Sequence, residues 1–333
     1  MKRGESGLSL IVAVDKPRGM SSHDVVNRVR RIFGERRVGH TGTLDPMATG
    51  VLPICVGPAA KLDRFMTAHD KRYRVEISFG FETDTDDSEG QPTESGEVTD
   101  ELSDEEFAKA FLAHMIGEHD QVPPVYSAVK VDGKRAYQLA RSGKAQELAP
   151  RHIEVYDAHL LSIHEDADSG CLCWTVDFSV SKGAYIRSLA RDIGRKLGCP
   201  AHVSALQRVQ AGNVKLSDCV SLETLENLRA DAAIDPVTAI GLRFAFADDF
   251  AKLVENGSSL PKDVAPLYEP PHGKVEDCFC ACAGTLMKSD EKPHDGELVC
   301  MVIANRLKAI YAYSSDKNSY RSECVFSVGV LRG

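Results

Sequence analysis

Gly39-His40-Thr41-Gly42-Thr43-Leu44-Asp45-Pro46-Met47-Ala48-Thr49-Gly50 is the stretch on which the reading of this chain turns. Three glycines, a proline and several small hydroxyl residues predict a long ordered loop rather than a helix or a strand. Asp45 precedes Pro46, which keeps it out of the helical region, and the glycines let a ligand approach the backbone closely. A lone carboxylate so placed can serve as nucleophile or general base without a metal. Taken alone, an Asp-Pro step is more often just a turn.

Upstream of the loop, the apolar run over 8–14 ends in the turn signal Asp15-Lys16-Pro17-Arg18-Gly19 and predicts a buried strand. Ser21 or Ser22 can cap a helix over 24–33, with Val25, Val26, Val29 and Ile32 on one face and Arg28, Arg30 and Arg31 on the other. A solvated face is the plain reading of those arginines. Downstream come the apolar run 51–56 and a strand over 72–80 with Tyr73, Val75 and Ile77 on one side. The acidic stretch 84–120 carries Phe107, Phe111 and Met115 at helical spacing, which predicts an exposed amphipathic helix facing solvent. Beyond it, helices are expected over 135–141 and 185–197, and strands over 153–161 and 174–180. Pro236 marks a boundary, after which 298–304, 307–313 and 324–330 read as strands of a small β-rich domain. The pattern is that of an α+β protein without internal repeats.

Of the 333 residues 43% are hydrophobic and 27% charged, which excludes wholesale disorder and leaves room for two domains. A net charge of −9 argues at first against a polyanionic partner, but its distribution reverses that. Residues 1–74 carry a net +7, whereas 75–120 carry −14. A basic N-terminal quarter can meet nucleic acid while the acidic stretch faces elsewhere. The run 8–14 is too short to span a membrane and lacks a cleavage pattern, so a cytoplasmic protein is expected. Ten cysteines then fit reduced thiols, and Cys171-x-Cys173 and Cys278-x-Cys280-x-Cys282 read as small buried hydrophobes rather than a thiolate cluster. Asp84-x-Asp86-Asp87-x-Glu89-Gly90 invites a calcium reading, but its glycine falls one position late. Dinucleotide, P-loop and zincin motifs are absent from the sequence.

Further strings lie in a fixed order around the loop: Asp15-Lys16-Pro17-x-Gly19-x-Ser21-Ser22, Lys71-Arg72-Tyr73, Thr83-Asp84-Thr85, Pro123-x-x-Tyr126-Ser127-Ala128, Ser181-Lys182-Gly183-x-Tyr185-Ile186-Arg187 and Gly198-x-x-Ala201-His202-x-x-x-Leu206-x-Arg208. With 39–50 they make residues 8–235 resemble the TruB-type tRNA pseudouridine synthases. The resemblance implies a catalytic domain over 8–235, with a mixed, mainly antiparallel sheet flanked by helices and loops. Residues 236–333 resemble the family's PUA-like β-barrel by position, size and strand pattern, although their net charge of −2 and the cysteine-rich turn 277–282 depart from a basic RNA-binding face. The implied activity is isomerisation of uridine to pseudouridine at position 55 of the tRNA T-loop. It needs no metal and no organic cofactor. The implied partner is the T-arm of tRNA, with no membrane and no obligate protein partner, and a monomer is expected.

By the same resemblance Asp45, Tyr73 and Arg187 are the catalytic candidates. Three roles stay open for Asp45: attack on C1′, addition to C6 of the base, or stabilisation of an oxocarbenium-like state with removal of a sugar proton. Tyr73 can stack on the extruded base or assist proton transfer. Arg187 can hold the Asp45 carboxylate ionised, and Asp87 matches an acidic position that bridges this arginine. The target must be flipped out of its stack; His40 is placed to fill the vacated space, and Leu206 to line the uracil pocket. Lys16, Lys182, Tyr185 and Arg208 complete the substrate-binding set, with Lys16 structural or phosphate-contacting. Arg28, Arg31, Arg36, Arg37, Lys61 and Arg64, joined by Arg30, become candidate phosphate contacts. A tRNA-folding chaperone with dispensable catalysis is the alternative, and a guide-RNA-dependent isomerase of the dyskerin branch a remoter one.

Overall fold

The computed structural model describes residues 6–127, 129–131, 133–142, 148–270 and 287–333. Ala128 and the cysteine run Cys278, Cys280 and Cys282 lie outside them. By packing, the chain divides into two compact units: residues 1–45, 51–68 and 212–333 form one, and residues 46–50 and 69–211 the other.

In the first unit the strand Leu10–Lys16 is buried at every position but one and pairs antiparallel with Ala233–Ile234. The helix Ser22–Phe33 starts where its capping chemistry dictates. Ser21 accepts from the amide of Asp24, whose carboxylate returns the bond, and Gly34 in the left-handed region ends it. Val38–His40 runs antiparallel to the Val56 end of Thr49–Val56, with Val38 opposite Val56 and His40 opposite Ile54. A second sheet of five strands curls into a half-barrel in the order Phe244–Phe246, Leu298–Ile303, Arg306–Ser314, Ser319–Leu331, Leu260–Pro261. Val299, Met301, Tyr311 and Tyr320 fill its core. Lys61 and Arg64 donate to the carbonyls of Val325 and Glu323 at 2.8 Å, so both of these expected phosphate contacts are engaged with the last strand.

The second unit is built on an antiparallel sheet in the order Gly117–Gln121, Arg151–Glu165, Leu172–Val180, Lys71–Phe79, Ala201–Ala211. Thr49 and Gly50 pair with Gln207 and Arg208 in parallel. The loop read from sequence therefore ends two residues early, because Thr49 and Gly50 are already strand. Gly50 sits at φ +97°, and a Cβ there would lie 2.3 Å from the Arg208 carbonyl oxygen, so only glycine allows this approach. The helix Ile186–Leu197 packs Ile186, Leu189, Ala190 and Ile193 inward and stops at Gly198, as its sequence predicts.

Ala201–Ala211 was not foreseen as a strand. Its apolar alternation is broken by register shifts at Val203/Ala205 and Arg208/Gln210, which move the side chains out of a simple period of two. The amphipathic helix of the acidic stretch forms over Glu105–Ala113 and buries Ala108 and Leu112. It is tied to the sheet by the single tryptophan: Trp174 donates Nε1–H to the Leu102 carbonyl at 2.7 Å and meets Phe79 and Phe111 edge-on. The seven described cysteines form no disulfide. No helix among the described residues is long and apolar enough to cross a membrane.

Candidate active site

Asp45 belongs to the first unit, and its backbone is set from the start of the helix Ser22–Phe33. The buried Ser22 hydroxyl accepts from the Leu44 amide at 2.8 Å and donates to the Leu44 carbonyl at 3.0 Å. One side chain thus satisfies both backbone groups of the residue before the carboxylate, as a buried loop requires. Leu44 and Met47 are buried, while Asp45 itself is half-buried. His40 Nδ1 accepts from the Gly42 amide at 3.3 Å. Lys16 is fully buried and donates to the carbonyls of Pro17 and Met20 at 2.9 and 2.6 Å, so its ammonium braces the turn ahead of the helix.

In the second unit, Tyr73 lies directly opposite Arg208, and Val75 opposite Leu206. Directly opposed residues share a sheet face, so Tyr73, Leu206 and Arg208 are presented together. All three are at most 9% exposed. Lys71 has the same parity on the strand. Burial pushes its ammonium down to about 8, with Arg208 adding to the shift, Asp70 opposing it and Lys182 contributing less. Lys182 itself is exposed. Tyr185 is fixed through its backbone, which donates to Gln121 Oε1 at 2.8 Å and accepts from Gln121 Nε2 at 3.0 Å.

Arg187 is enclosed, with a side chain 5% exposed. Its guanidinium donates to the carbonyls of Thr85 and Tyr126 at 2.8 and 3.0 Å and lies 3.3 Å from Asp87 Oδ2. Asp87 Oδ1 in turn accepts from the Thr85 hydroxyl and the Glu89 amide, at 2.6 and 3.0 Å. These bonds replace much of the water both charges give up. Two further pairs continue along the same helix. Arg191 meets Asp86 at 2.8 Å and Arg195 meets Glu82 at 2.8 Å. Arginines at i, i+4 and i+8 on one helical face thus answer three acids from residues 82–87. Asp86 holds a left-handed backbone at φ 61°, and burial pushes its carboxyl up to about 6 against the opposing pull of Arg191 and Arg187.

The ladder corrects one expectation. The acidic stretch does not face solvent throughout: Asp84 is exposed, but Asp86 and Asp87 are only 7% and 4% exposed. Arg191 and Arg195 carry no distinctive motif of their own. Only their four-residue spacing from Arg187 could have signalled them.

Among the phosphate candidates, Arg28 pairs with Glu226 at the surface. Arg30 donates to Asn27 Oδ1 and the Val38 carbonyl, and Arg31 and Arg36 are exposed. Arg36, Arg37 and Arg30 line one cleft of about 650 Å³.

A fold of this kind recurs in solved structures. The protein of "Crystal Structure of a Cbf5-Nop10-Gar1 Complex" superposes with a TM-score of 0.65 at 23% identity, covering 96% of this chain and 85% of that one. That of "Structure of H/ACA RNP bound to a substrate RNA containing 2'-deoxyuridine" gives a TM-score of 0.62 at 20% identity over 95% and 84%. These superpositions show the fold, and the match to a pseudouridylate synthase family model gives the class as that of the pseudouridine synthases. Sequence carries it further. Residues 30–186 match the TruB family pseudouridylate synthase N-terminal domain, and residues 187–239 the tRNA pseudouridylate synthase B C-terminal domain. A tRNA pseudouridine synthase B of Francisella tularensis subsp. tularensis is 40% identical over 262 residues, 79% of this chain and 84% of that protein. One from Bacillus cytotoxicus is 43% identical over 227 residues, 68% and 74% of the two chains. The chain belongs to the TruB family of pseudouridylate synthases, and it is an isomerase.

Proposed function

We propose that this isomerase acts on tRNA and converts the uridine at position 55 of the T-loop to pseudouridine by flipping the base, cleaving its N-glycosidic bond, rotating it and rejoining it through C5. The observation that carries the reading is Asp45, held on a loop whose preceding residue is fixed at both backbone groups by Ser22. Breaking and remaking a bond at C1′ needs a positioned carboxylate and no redox chemistry. Tyr73 and Arg187 complete the catalytic set. Tyr73 stacks on the extruded uracil, and Leu206 closes its pocket. His40 occupies the space the base leaves, which offsets part of the few kcal/mol of unstacking.

Residues 8–235 are the catalytic domain and 236–333 the accessory RNA-binding domain in this proposal. The enzyme works in the cytoplasm as a monomer, without a protein partner. Unmodified tRNA incubated with wild-type protein yields pseudouridine at position 55 on mapping. Asp45→Asn retains tRNA binding within about threefold, since one uncharged amide replaces one carboxylate outside the phosphate contacts, and makes no pseudouridine. Product from that variant removes Asp45 from the chemistry. Wild-type protein that binds tRNA without forming product points instead to the chaperone reading.

A further inference from the structure

The face of the second-unit sheet opposite Tyr73 carries a cluster that uridine isomerisation does not use. Glu76 has even parity on the strand Lys71–Phe79, so it points away from the Tyr73 side. Cys173 on Leu172–Val180 is opposite Ser78, and His164 on Arg151–Glu165 is opposite Cys173. Three adjacent strands thereby bring one carboxylate, one imidazole and one thiol to the same patch. His164 Nε2 is 3.2 Å from Glu76 Oε2, and the ligand atoms of all three residues lie within 4.8 Å of one another.

We propose that Glu76, His164 and Cys173 form a binding site for a single zinc ion. Tetrahedral zinc with bonds of about 2.0–2.3 Å sets its ligand atoms roughly 3.3–3.8 Å apart; the His164–Glu76 separation of 3.2 Å is close to this, and the thiol lies within 4.8 Å of both. The mixed oxygen, nitrogen and sulfur donor set suits a borderline-soft cation and disfavours magnesium or calcium, which take oxygen ligands. The carboxylate is oriented for the task. Ser204 donates its hydroxyl to Glu76 Oε1 at 2.6 Å, which leaves Oε2 turned to His164. The thiol is the floor of the site, fully buried, while the imidazole is 39% exposed and gives the ion a way in from solvent. On binding, the Cys173 thiol gives its proton to solvent, a Zn–S bond replaces the S–H bond, and water fills the fourth position. Cys171, just before the strand, is not one of the ligands. The three ligands sit on three neighbouring strands, so the ion would staple them, and its occupancy would leave the Tyr73 face unaltered.

The test is zinc titration of the full chain carrying Cys278→Ser, Cys280→Ser and Cys282→Ser, which removes the other clustered thiols. One equivalent of zinc binds, and X-ray absorption of the complex shows one sulfur ligand near 2.3 Å with nitrogen and oxygen neighbours. His164→Ala, at an exposed position that folding tolerates, lowers affinity by about 100-fold or more, and Ser204→Ala by about 10–100-fold. Zinc raises the thermal midpoint of the parent and not of the His164→Ala protein. Failure of the parent to bind, equal binding by parent and His164→Ala, or a bound ion with no sulfur or with several overturns the proposal. Pseudouridine formation is unchanged by zinc and reads independently of the site, so this proposal can fail while the isomerase reading stands.

Discussion

Two helices of equal length carry three arginines each and use them in opposite ways. In Ile186–Leu197 the arginines stand four residues apart, and each meets an acid from residues 82–87. In Ser22–Phe33 they crowd toward the C-terminal end as Arg28, Arg30 and Arg31, where the helix dipole favours them, and acids answer them only at the surface. The first set is a ladder of ion pairs, enclosed at Arg187 and Arg191 and open at Arg195, each arginine matched by a fixed acid, so that they set where residues 82–87 lie. In the second set Arg28 is paired only at the surface, Arg30 is engaged with Asn27 and the Val38 carbonyl, and Arg31 is exposed, so Arg28 and Arg31 are the members open to a polyanion. Residue type alone does not separate these roles. Spacing and the placement of the acids do.

The largest expected effect breaks the buried set. Arg187→Ala leaves Asp87 enclosed without its cation and two backbone carbonyls without a donor. Removing one member of such a pair costs about 3–5 kcal/mol. Arg191→Ala falls below this, because its pair is somewhat more open at 11% and 10% exposure. Arg195→Ala costs about 1 kcal/mol or less, since Arg195 is 59% exposed and water takes over its charge. Urea unfolding of the three variants reads the gradient directly. Three equal losses, or the largest at Arg195, would show that enclosure does not set the value of these pairs.

A smaller effect sharpens the other side. Arg28→Ala with Arg31→Ala changes stability by no more than about 0.5 kcal/mol, as exposed positions usually do. Affinity for tRNA falls nonetheless, and the slope of log affinity against log salt drops by about one for each phosphate contact removed. Filter binding between about 50 and 200 mM salt measures both. A slope identical to wild type takes these arginines off the RNA surface.

Much of this contrast was legible beforehand. Ser21, one of two serines read as a cap, starts one helix, Gly198 ends the other, and the alternation of Tyr73, Val75 and Ile77 marks a strand. Asp45 and its loop stood out through glycine density and the proline. What stayed hidden depends on register. The strand Ala201–Ala211 is masked by two bulges, and the Glu76, His164 and Cys173 cluster joins residues up to 97 positions apart, which only strand pairing brings together. The partners of Arg191 and Arg195 were concealed in the same way, since a run of acids reads as solvated until a helix is laid against it.

Lys71 lies between the two kinds of cation, half-buried and close to other positive charges, Arg208 and Lys182, rather than to a matching acid ladder. Its folded value of about 8 is below the 10.5 of an exposed lysine. Between these values the unfolded chain holds the proton more tightly, so the folded state gains stability as pH rises from about 8 toward 10.5. Binding of tRNA moves the other way. If the ammonium meets a phosphate, affinity declines as pH rises past 8, with a midpoint displaced upward in the complex because the phosphate favours the charged form. Lys71→Gln removes both trends, leaving flatter pH profiles for unfolding and for binding. Stability and affinity that fall together above pH 8, or a variant that keeps the wild-type profiles, would assign Lys71 to neither behaviour and leave the division between matched and available cations without an intermediate.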